Sequence, residues 1–269
     1  MKSMRTLSSA LPLLLGLCAA LPAAAQSREN NACGPLKGSH YGPYDYRSDH
    51  QKQSSSDPMP HAEKRELVEH AHFTARVENL IGAQSGGMIG PPGPDLSYTL
   101  RAFPNNHRAL VSVIRYGEKF KTETPPGLQY PVECYFERAI RFASDDVIVR
   151  IIYSTYLTKK GRNADAVKQL QVSSDLAGDN PFTHFNIGLA YFDLKEYAAA
   201  LQSAHRALAL GFERADLKEK LKSAGQWQEP QPVDPAASAA SAASVDPAAS
   251  AASANSASPA ASATSQDKP

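Results

Sequence analysis

The sequence has little cysteine, little tryptophan and almost no net charge. Among its 269 residues are three cysteines and one tryptophan, and 28 basic residues nearly balance 27 acidic residues. Nucleic acids and anionic membranes are bound by concentrated basic surfaces, which a near-neutral chain does not provide. We therefore expect no nucleic-acid partner.

Motifs for catalysis, cofactor binding and metal binding are also missing. His70 and His72 stand two positions apart, so a helix would place them on different faces, and no cysteine or acidic residue follows at a spacing typical of zinc sites. The glycine-rich stretch 82–94 lacks the Lys-Ser or Lys-Thr of a phosphate-binding loop, and no serine lies in a nucleophile-elbow motif. We expect no catalytic residue, no cofactor and no metal. An enzyme that uses His61, His70, His72 and the N-terminal tyrosines is the alternative.

Long apolar runs are absent after the first 25 residues. A basic start and an apolar run from Leu7 to Leu21 match a signal-peptide core, and the run is too short to span a bilayer. The small residues Ala23–Ala25 follow, so we predict a signal peptide over 1–25 and a periplasmic or secreted protein without a membrane span. A lipoprotein signal at Cys18 is the alternative, but the small residue required before a modified cysteine is missing.

Two cysteines, Cys33 and Cys134, remain after the predicted cleavage. In an oxidising compartment they permit one disulfide, which would join the N-terminal arm to a distant helix. The alternative is a buried, unpaired Cys134 and a free Cys33. The sequence does not give the Cα separation that decides between the two.

The two ends of the mature chain lack regular apolar patterning. Residues 228–269 are mostly Ala, Ser and Pro, which predicts a disordered tail because such a segment buries too little apolar surface to offset its ordering entropy. Residues 26–59 are rich in polar residues, which indicates an extended N-terminal arm. Its tyrosines Tyr41, Tyr44 and Tyr46 either pack on the helical body or form a recognition patch.

The middle of the chain predicts an all-α fold, with N-terminal helices in 60–104 and helical repeats in 105–227. Glycine, proline and N-cap residues mark the ends of apolar segments with helical spacing. The predicted helix starts are Thr74, Asp95, Asn105 or Asn106, Asp145 or Asp146, Asn163 and Asn180-Pro181. Val147–Tyr153 is β-branched and locally favours a strand, but no partner strand is near, so we assign it to a helix. Loops are predicted at 82–94 and 121–130. The predicted helices are 63–72, 75–81, 96–103, 107–120, 131–142, 147–160, 164–176, 182–194, 196–210 and 214–224.

The segment Asn180–Tyr191 resembles the first helix of a tetratricopeptide repeat (TPR), and the residues after it resemble the second. Gly188, Ala200 and Ala207 occupy the positions where that family places small residues so that the paired helices approach closely. These small residues are the most specific part of the resemblance.

The resemblance extends to earlier segments at the 34-residue period of the family. Ser154, Ala166 and Ser173 keep small residues at the positions expected one repeat earlier. Tyr135–Ile140 resembles the second helix of a still earlier repeat, whose first helix is displaced to 107–120 by the intervening loop. The resemblance implies a short TPR-type α-solenoid of antiparallel hairpins, closed by a capping helix at 214–224.

In the TPR family the first helix of each repeat lines a concave groove, so the resemblance implies a scaffold that binds a protein partner there. Ile151 and Phe185 stand where some members carry basic or Asn side chains for a peptide carboxylate, which argues against that partner class. An apolar peptide or helix is implied instead. Two alternatives are that the arm or a neighbouring helix covers the groove, and that the chain is a permanent subunit of an envelope assembly. The implied groove residues are Ile148, Ile151, Thr155, Phe182, Phe185, Leu189 and Phe192.

Overall fold

A computed structural model describes residues 33–36, 41–48, 59–85 and 88–230. The predicted signal peptide, much of the predicted arm and all of the predicted tail after residue 230 lie outside these residues. The chain divides into two units, Met1–Trp227 and Gln228–Pro269. All helices and strands described below belong to the first unit.

The described part of the chain is mostly helical, which confirms the all-α prediction at the level of fold class, and it adds one short β-hairpin. Within the described ranges, ten helices and two strands follow one another. In order, they are α1 (His61–His72), α2 (Ala75–Glu78), β1 (Ala83–Ser85), β2 (Met88–Gly90), α3 (Gly93–Ala102), α4 (His107–Phe120), α5 (Val132–Phe142), α6 (Val147–Lys159), α7 (Asn163–Leu176), α8 (Pro181–Asp193), α9 (Tyr197–Ala209) and α10 (Ala215–Ser223).

Side-chain caps begin four of these helices where the sequence predicts them. Thr74, Asn106, Asp146 and Asn180 each accept a hydrogen bond from the backbone N–H three residues later. Such a cap satisfies one of the N–H groups that a helix start leaves without a partner. The β-branched start of α6 is helical as predicted, because its cap and its tertiary packing outweigh the local strand preference.

Two predicted caps are wrong. Asp95 lies inside α3, which begins at Gly93 after Pro92, and Pro94 supplies the fixed φ angle that suits a first turn. Asn163 is the first residue of α7 and not its cap. In both cases the helix starts slightly earlier than the side-chain signal indicates.

The predicted 75–81 helix and the loop after it also differ from the structure. Helix α2 ends at Glu78, and Leu80 adopts a left-handed conformation with φ 59°. The chain then forms an antiparallel hairpin in which Ala83 pairs with Gly90 and Ser85 pairs with Met88. Three-residue strands carry too little period-two patterning to be predicted.

Three hydrophobic clusters hold the described helices together. The first extends from α2 to α7 around fully buried side chains such as Leu96, Val113 and Phe136. The second joins α7 to α10 around Leu170 and Ile187. The third joins α1 to the end of α3 around Val68, Ala102 and Phe103.

Small residues let α8 approach α9 and α10 closely. A Cβ atom added at Gly188 would lie 2.4 Å from Leu217 Cδ2 and 3.2 Å from Ser203 Cβ, closer than ordinary van der Waals contact. Ala200 and Ala207, which lie on α9, are also buried. Larger side chains at these three positions would force the helices apart.

The last seven helices contact one another in an alternating order. Helices α4, α6, α8 and α10 form consecutive contacts, and each of α5, α7 and α9 packs between the helix before it and the helix after it. The α6–α7 and α8–α9 pairs are the most extensive contacts, whereas the 121–130 loop separates α4 from α5.

Candidate functional site

The N-terminal arm is joined covalently to the helical body. Cys33 and Cys134 form a disulfide with a Cα–Cα distance of 5.0 Å, and both residues are buried. The disulfide is therefore the correct one of the two sequence interpretations, and it fixes residues 33–36 against α5.

Two arginines of α5 hold the same segment by hydrogen bonds. Arg138, which is 2% exposed, donates from Nη1 to the carbonyl oxygens of Cys33, Gly34 and Pro35 at 3.0, 3.3 and 2.8 Å. Arg141 donates to the Gly34 carbonyl at 2.9 Å. These three backbone carbonyls share the buried guanidinium of Arg138, and burial lowers the pKa of that group.

The arm tyrosines pack on the body. The rings of Tyr44 and Tyr46 lie 5.6 and 6.3 Å from the ring of Phe103, between centroids. The Tyr44 N–H donates to the Ala102 carbonyl at 2.8 Å, and the Tyr46 hydroxyl donates to Glu69 at 3.1 Å. The packing interpretation is therefore confirmed for these two tyrosines, and they do not form an open recognition patch.

A buried carboxylate anchors the contact between the arm and the helix starts. Asp146, which caps α6, is 1% exposed and accepts hydrogen bonds from Asn105 Nδ2 at 2.8 Å and from the Val149 N–H at 3.2 Å. His107 Nε2 lies 2.9 Å from the same carboxylate. Burial alone raises the pKa of Asp146, but these hydrogen bonds together leave it below its usual value.

The arm adds a second carboxylate to this network. Asp45 accepts from Asn105 Nδ2 at 2.8 Å and from Arg47, which also donates to Asp145. Burial raises the pKa of Asp45, and the hydrogen bonds from Arg47 and Asn105 lower it, with a final value of about 2. The network connects the arm to the N-terminal ends of α4 and α6.

Two of the three histidines in the enzyme alternative, His70 and His72, have described side chains. His72 Nδ1 lies 2.9 Å from Asp95 Oδ1, and its ring stacks on Tyr98 with centroids 3.9 Å apart. His70 is exposed, and the side chain of His61 lies outside the described residues.

One group of three metal-ligating residues occurs in the described part of the chain. Cys33, Cys134 and Glu137 offer ligand atoms within 4.8 Å of one another. Both sulfur atoms belong to the disulfide, so they are not thiolates that could bind a metal.

Helices α4, α6 and α8 present equivalent residues on one face, which we call the α4–α6–α8 face. Each helix contributes five residues, which lie at the same distances along the chain from its capping residue, Asn106, Asp146 or Asn180. All but one of the fifteen residues are exposed or half-buried. They are Arg108, Val111, Arg115, Glu118 and Lys119 on α4, Ile148, Ile151, Thr155, Thr158 and Lys159 on α6, and Phe182, Phe185, Leu189, Phe192 and Asp193 on α8.

Contacts between the helices show that these residues share a surface. Lys159 of α6 forms an ion pair with Glu118 of α4 at 2.5 Å. A pocket of about 150 Å³ lies between α6 and α8. It is lined by Ser154, Thr155, Thr158, Lys159, Ala190 and Asp193.

The α4 part of this face was missed by the sequence reasoning. The 121–130 loop places the cap of α4 40 residues before the cap of α6, whereas 34 residues separate the caps of α6 and α8. A search at a fixed period therefore does not find Arg108 or Arg115. Alignment of the capping residues would have found them.

The predicted groove residues differ in their accessibility. Phe182 is 51% exposed, and Thr155 is exposed. Ile148, Ile151, Leu189 and Phe192 are half-buried.

Phe185 is 4% exposed, so it is not available to a partner. The ring of Phe212 lies 5.1 Å from its ring, and the Arg214 guanidinium lies 5.4 Å from its centroid. The α9–α10 connection covers this position. The groove is therefore closed at this residue by a connection between helices, which is neither the arm nor a neighbouring helix.

A second, more open pocket lies on the other side of α8. It has a volume of about 660 Å³ and separates Phe192 from one face of α10. Lys220 of α10 lies 5.2 Å from the Phe192 ring centroid. Both sides of α8 thus offer concave surface, with apolar side chains next to charged ones.

Two opposite charges on this face are not ion-paired, although the charge of Arg115, after the hydrogen bond from Arg108, helps to lower the pKa of Glu78. Neither Arg115 of α4 nor Asp193 of α8 forms a hydrogen bond or ion pair with any residue in the ranges that the structure describes. Most other charged residues of the face are paired, for example Arg108 with Glu78.

Across the described helices, none is both long and apolar enough to cross a membrane. The chain matches no protein-family model and no curated protein.

Proposed function

We propose that this chain is an exported TPR-type scaffold that binds a segment of another protein on the α4–α6–α8 face. The observation that carries the proposal is the consecutive contact of α4, α6, α8 and α10, with the second helices packed between them. This order is the one expected of stacked TPR hairpins, and it supports the proposal. It leaves one face of the first helices accessible, and repeat proteins bind partners on such extended surfaces.

Export is supported by the N-terminal sequence and by the disulfide. The basic start, apolar run and small residues at the end of 1–25 are typical of a signal peptide. Disulfides persist in oxidising compartments such as the periplasm and the extracellular space, and the Cys33–Cys134 bond fits that setting.

Peptide binding is supported by the chemistry of the open part of the face. Ile148, Ile151 and Leu189 expose part of their apolar surface beside the hydroxyl group of Thr155. A bound segment would gain by burying that apolar area, at about 25 cal/mol per Å² before the costs of association. Peptide-binding grooves of helical proteins use such apolar anchors.

Site-specific photocrosslinking in the intact envelope tests the proposal. A benzophenone amino acid at Thr155 should give a discrete crosslinked species, because Thr155 is exposed on the face. The same amino acid at Gln171, which is exposed on α7, is the matched control. Equal crosslinking from both positions, or none from Thr155, would contradict binding on this face.

A further inference from the structure

We infer that the α4–α6–α8 face selects a protein segment in which an apolar stretch lies between an acidic residue and a basic residue. This inference rests on the proposed function and names the chemistry of its partner. It follows from the order of charged and apolar side chains across the three helices.

The α4 side of the face is basic. Three of its five residues are Arg108, Arg115 and Lys119, and all three are exposed. Arg108 is bound to Glu78, and Lys119 donates to the Leu80 carbonyl at 3.0 Å. Arg115 thus remains as the cation with all of its donors available to a partner, and Lys119, which is bound only to a neutral carbonyl, adds its positive charge to this side.

The middle of the face is uncharged over most of its length. Ile148, Ile151, Thr155 and Thr158 occupy the first four positions on α6. The two threonine hydroxyls donate to carbonyls of their own helix, so they do not require a polar partner. The fifth position, Lys159, is already paired with Glu118.

The α8 side is apolar and ends in one acidic residue. Phe182 is half exposed, and Leu189 is partly exposed. Asp193 follows in the last turn of the helix, on the wall of the 150 Å³ pocket opposite Lys159. Because Glu118 already neutralises Lys159, the carboxylate of Asp193 can accept a cation from a partner.

Charge complementarity determines which segment fits this order. A carboxylate of the partner would pair with Arg115, its apolar side chains would cover Ile151 and Leu189, and its basic group would reach Asp193. Unpaired charges on an interface favour partners with the opposite charge at that position and disfavour partners with a charge of the same sign. A purely apolar segment would leave Arg115 and Asp193 without partners.

Peptide arrays test the inference directly with the mature full-length protein. Each peptide carries a central block of leucine and isoleucine, flanked by glutamate on one side and lysine on the other, in both orders. Matched arrays carry serine, glutamate alone or lysine alone in the flanks. We expect binding to the glutamate–lysine peptides in one of the two orders to exceed binding to the serine-flanked peptides. The preference should weaken as salt is added.

A charge reversal at Arg115 gives the specific test. Arg115→Glu should weaken binding of the preferred peptide by about two- to fivefold, the range of an exposed ion pair. It should also shift the preference toward peptides with lysine in both flanks. Lys168→Glu is the control, because Lys168 is exposed on α7 and outside the face. Circular dichroism should show the same thermal midpoint for Arg115→Glu and the unchanged protein.

The possible results separate this inference from the proposed function. If the apolar block binds equally whatever its flanks, the charge inference is wrong and the binding face stands. If Arg115→Glu weakens binding without changing the preferred flanks, the inference is also wrong. If no peptide binds in any array, peptide binding by this face fails, and the charge inference fails with it.

Discussion

Arg138 donates a hydrogen bond at 3.0 Å to the carbonyl of Cys33, which is also joined to the same helix by its disulfide with Cys134. Cys134 and Arg138 lie one turn apart on α5, so the arm is held by a covalent bond and a buried cation at the same place. The disulfide closes a loop between residues 101 positions apart. Such a crosslink acts mainly by restricting the unfolded chain.

We expect loss of the disulfide to lower the free energy of unfolding by roughly 2–4 kcal/mol, given the long loop that it closes. Urea unfolding of the mature protein with and without a reductant measures this change. The Cys33→Ser, Cys134→Ser double variant should unfold at the midpoint of the reduced protein and should not respond to reductant. An unchanged midpoint after complete reduction, checked by thiol titration, would show that the arm does not stabilise the fold through this bond.

The arm contact should also weaken in acid. The pKa of Asp45 is about 2 in the folded protein, below its ordinary value of 3.8. A group whose folded pKa is lowered contributes stability above its unfolded pKa, and this contribution is lost as the pH falls through the folded value. Asp45 should therefore contribute on the order of 1 kcal/mol at neutral pH, because Arg47 is partly exposed, and little near pH 2.

Comparison with Asp45→Asn tests this pH dependence. The difference in unfolding free energy between the unchanged protein and the variant should shrink between about pH 4 and pH 2. Asp179→Asn makes the same chemical change at a carboxylate that is exposed and paired with Arg206. A constant difference across the pH range for Asp45→Asn would contradict the role given to this carboxylate.

The local features of the fold were accessible to sequence reasoning, and its long-range contacts were not. Asn106, Asp146 and Asn180 mark helix starts that the sequence can predict, because a capping hydrogen bond joins residues only three positions apart. Phe212 packs on Phe185 because the α9–α10 connection folds back over α8. The repeat pattern of the sequence does not predict this contact.

The disulfide shows the same limit. Composition and compartment permitted the Cys33–Cys134 pair, but only the structure gives its 5.0 Å Cα separation. For the candidate site, the family resemblance implied the α6 and α8 residues, and their role in binding stays a prediction. The α4 residues could not be predicted in the same way, because the 121–130 loop changes the spacing between α4 and α6.

Gly188 is expected to be intolerant of larger side chains because of its contact with α10. Gly188→Val should destabilise the protein by about 1–3 kcal/mol, since its Cβ would meet Leu217 Cδ2 at 2.4 Å. The Leu217→Ala change should recover part of this loss in the double variant. Urea unfolding of both single variants and the double variant gives the coupling energy. Strictly additive effects would mean that the two side chains do not meet.

Phe182 and Phe185 provide the sharpest contrast on the α4–α6–α8 face. Phe185→Asp would place a carboxylate in a site that is 4% exposed, under Phe212 and beside Arg214. We expect it to lower the free energy of unfolding by about 3 kcal/mol or more, because the aromatic packing is lost and a charge is buried. Its loss of binding would then report unfolding and would not identify a contact with a partner.

Phe182→Asp carries the same chemical change to a side chain that is 51% exposed. It should lower the unfolding free energy by less than about 1 kcal/mol, in the range of surface substitutions next to a packed ring. The same variant should reduce binding of apolar peptides, since Phe182 contributes exposed aromatic surface to the face. Urea unfolding and peptide titration on the same samples separate the two effects. If Phe182→Asp binds as well as the unchanged protein while remaining folded, the binding surface does not extend to the start of α8.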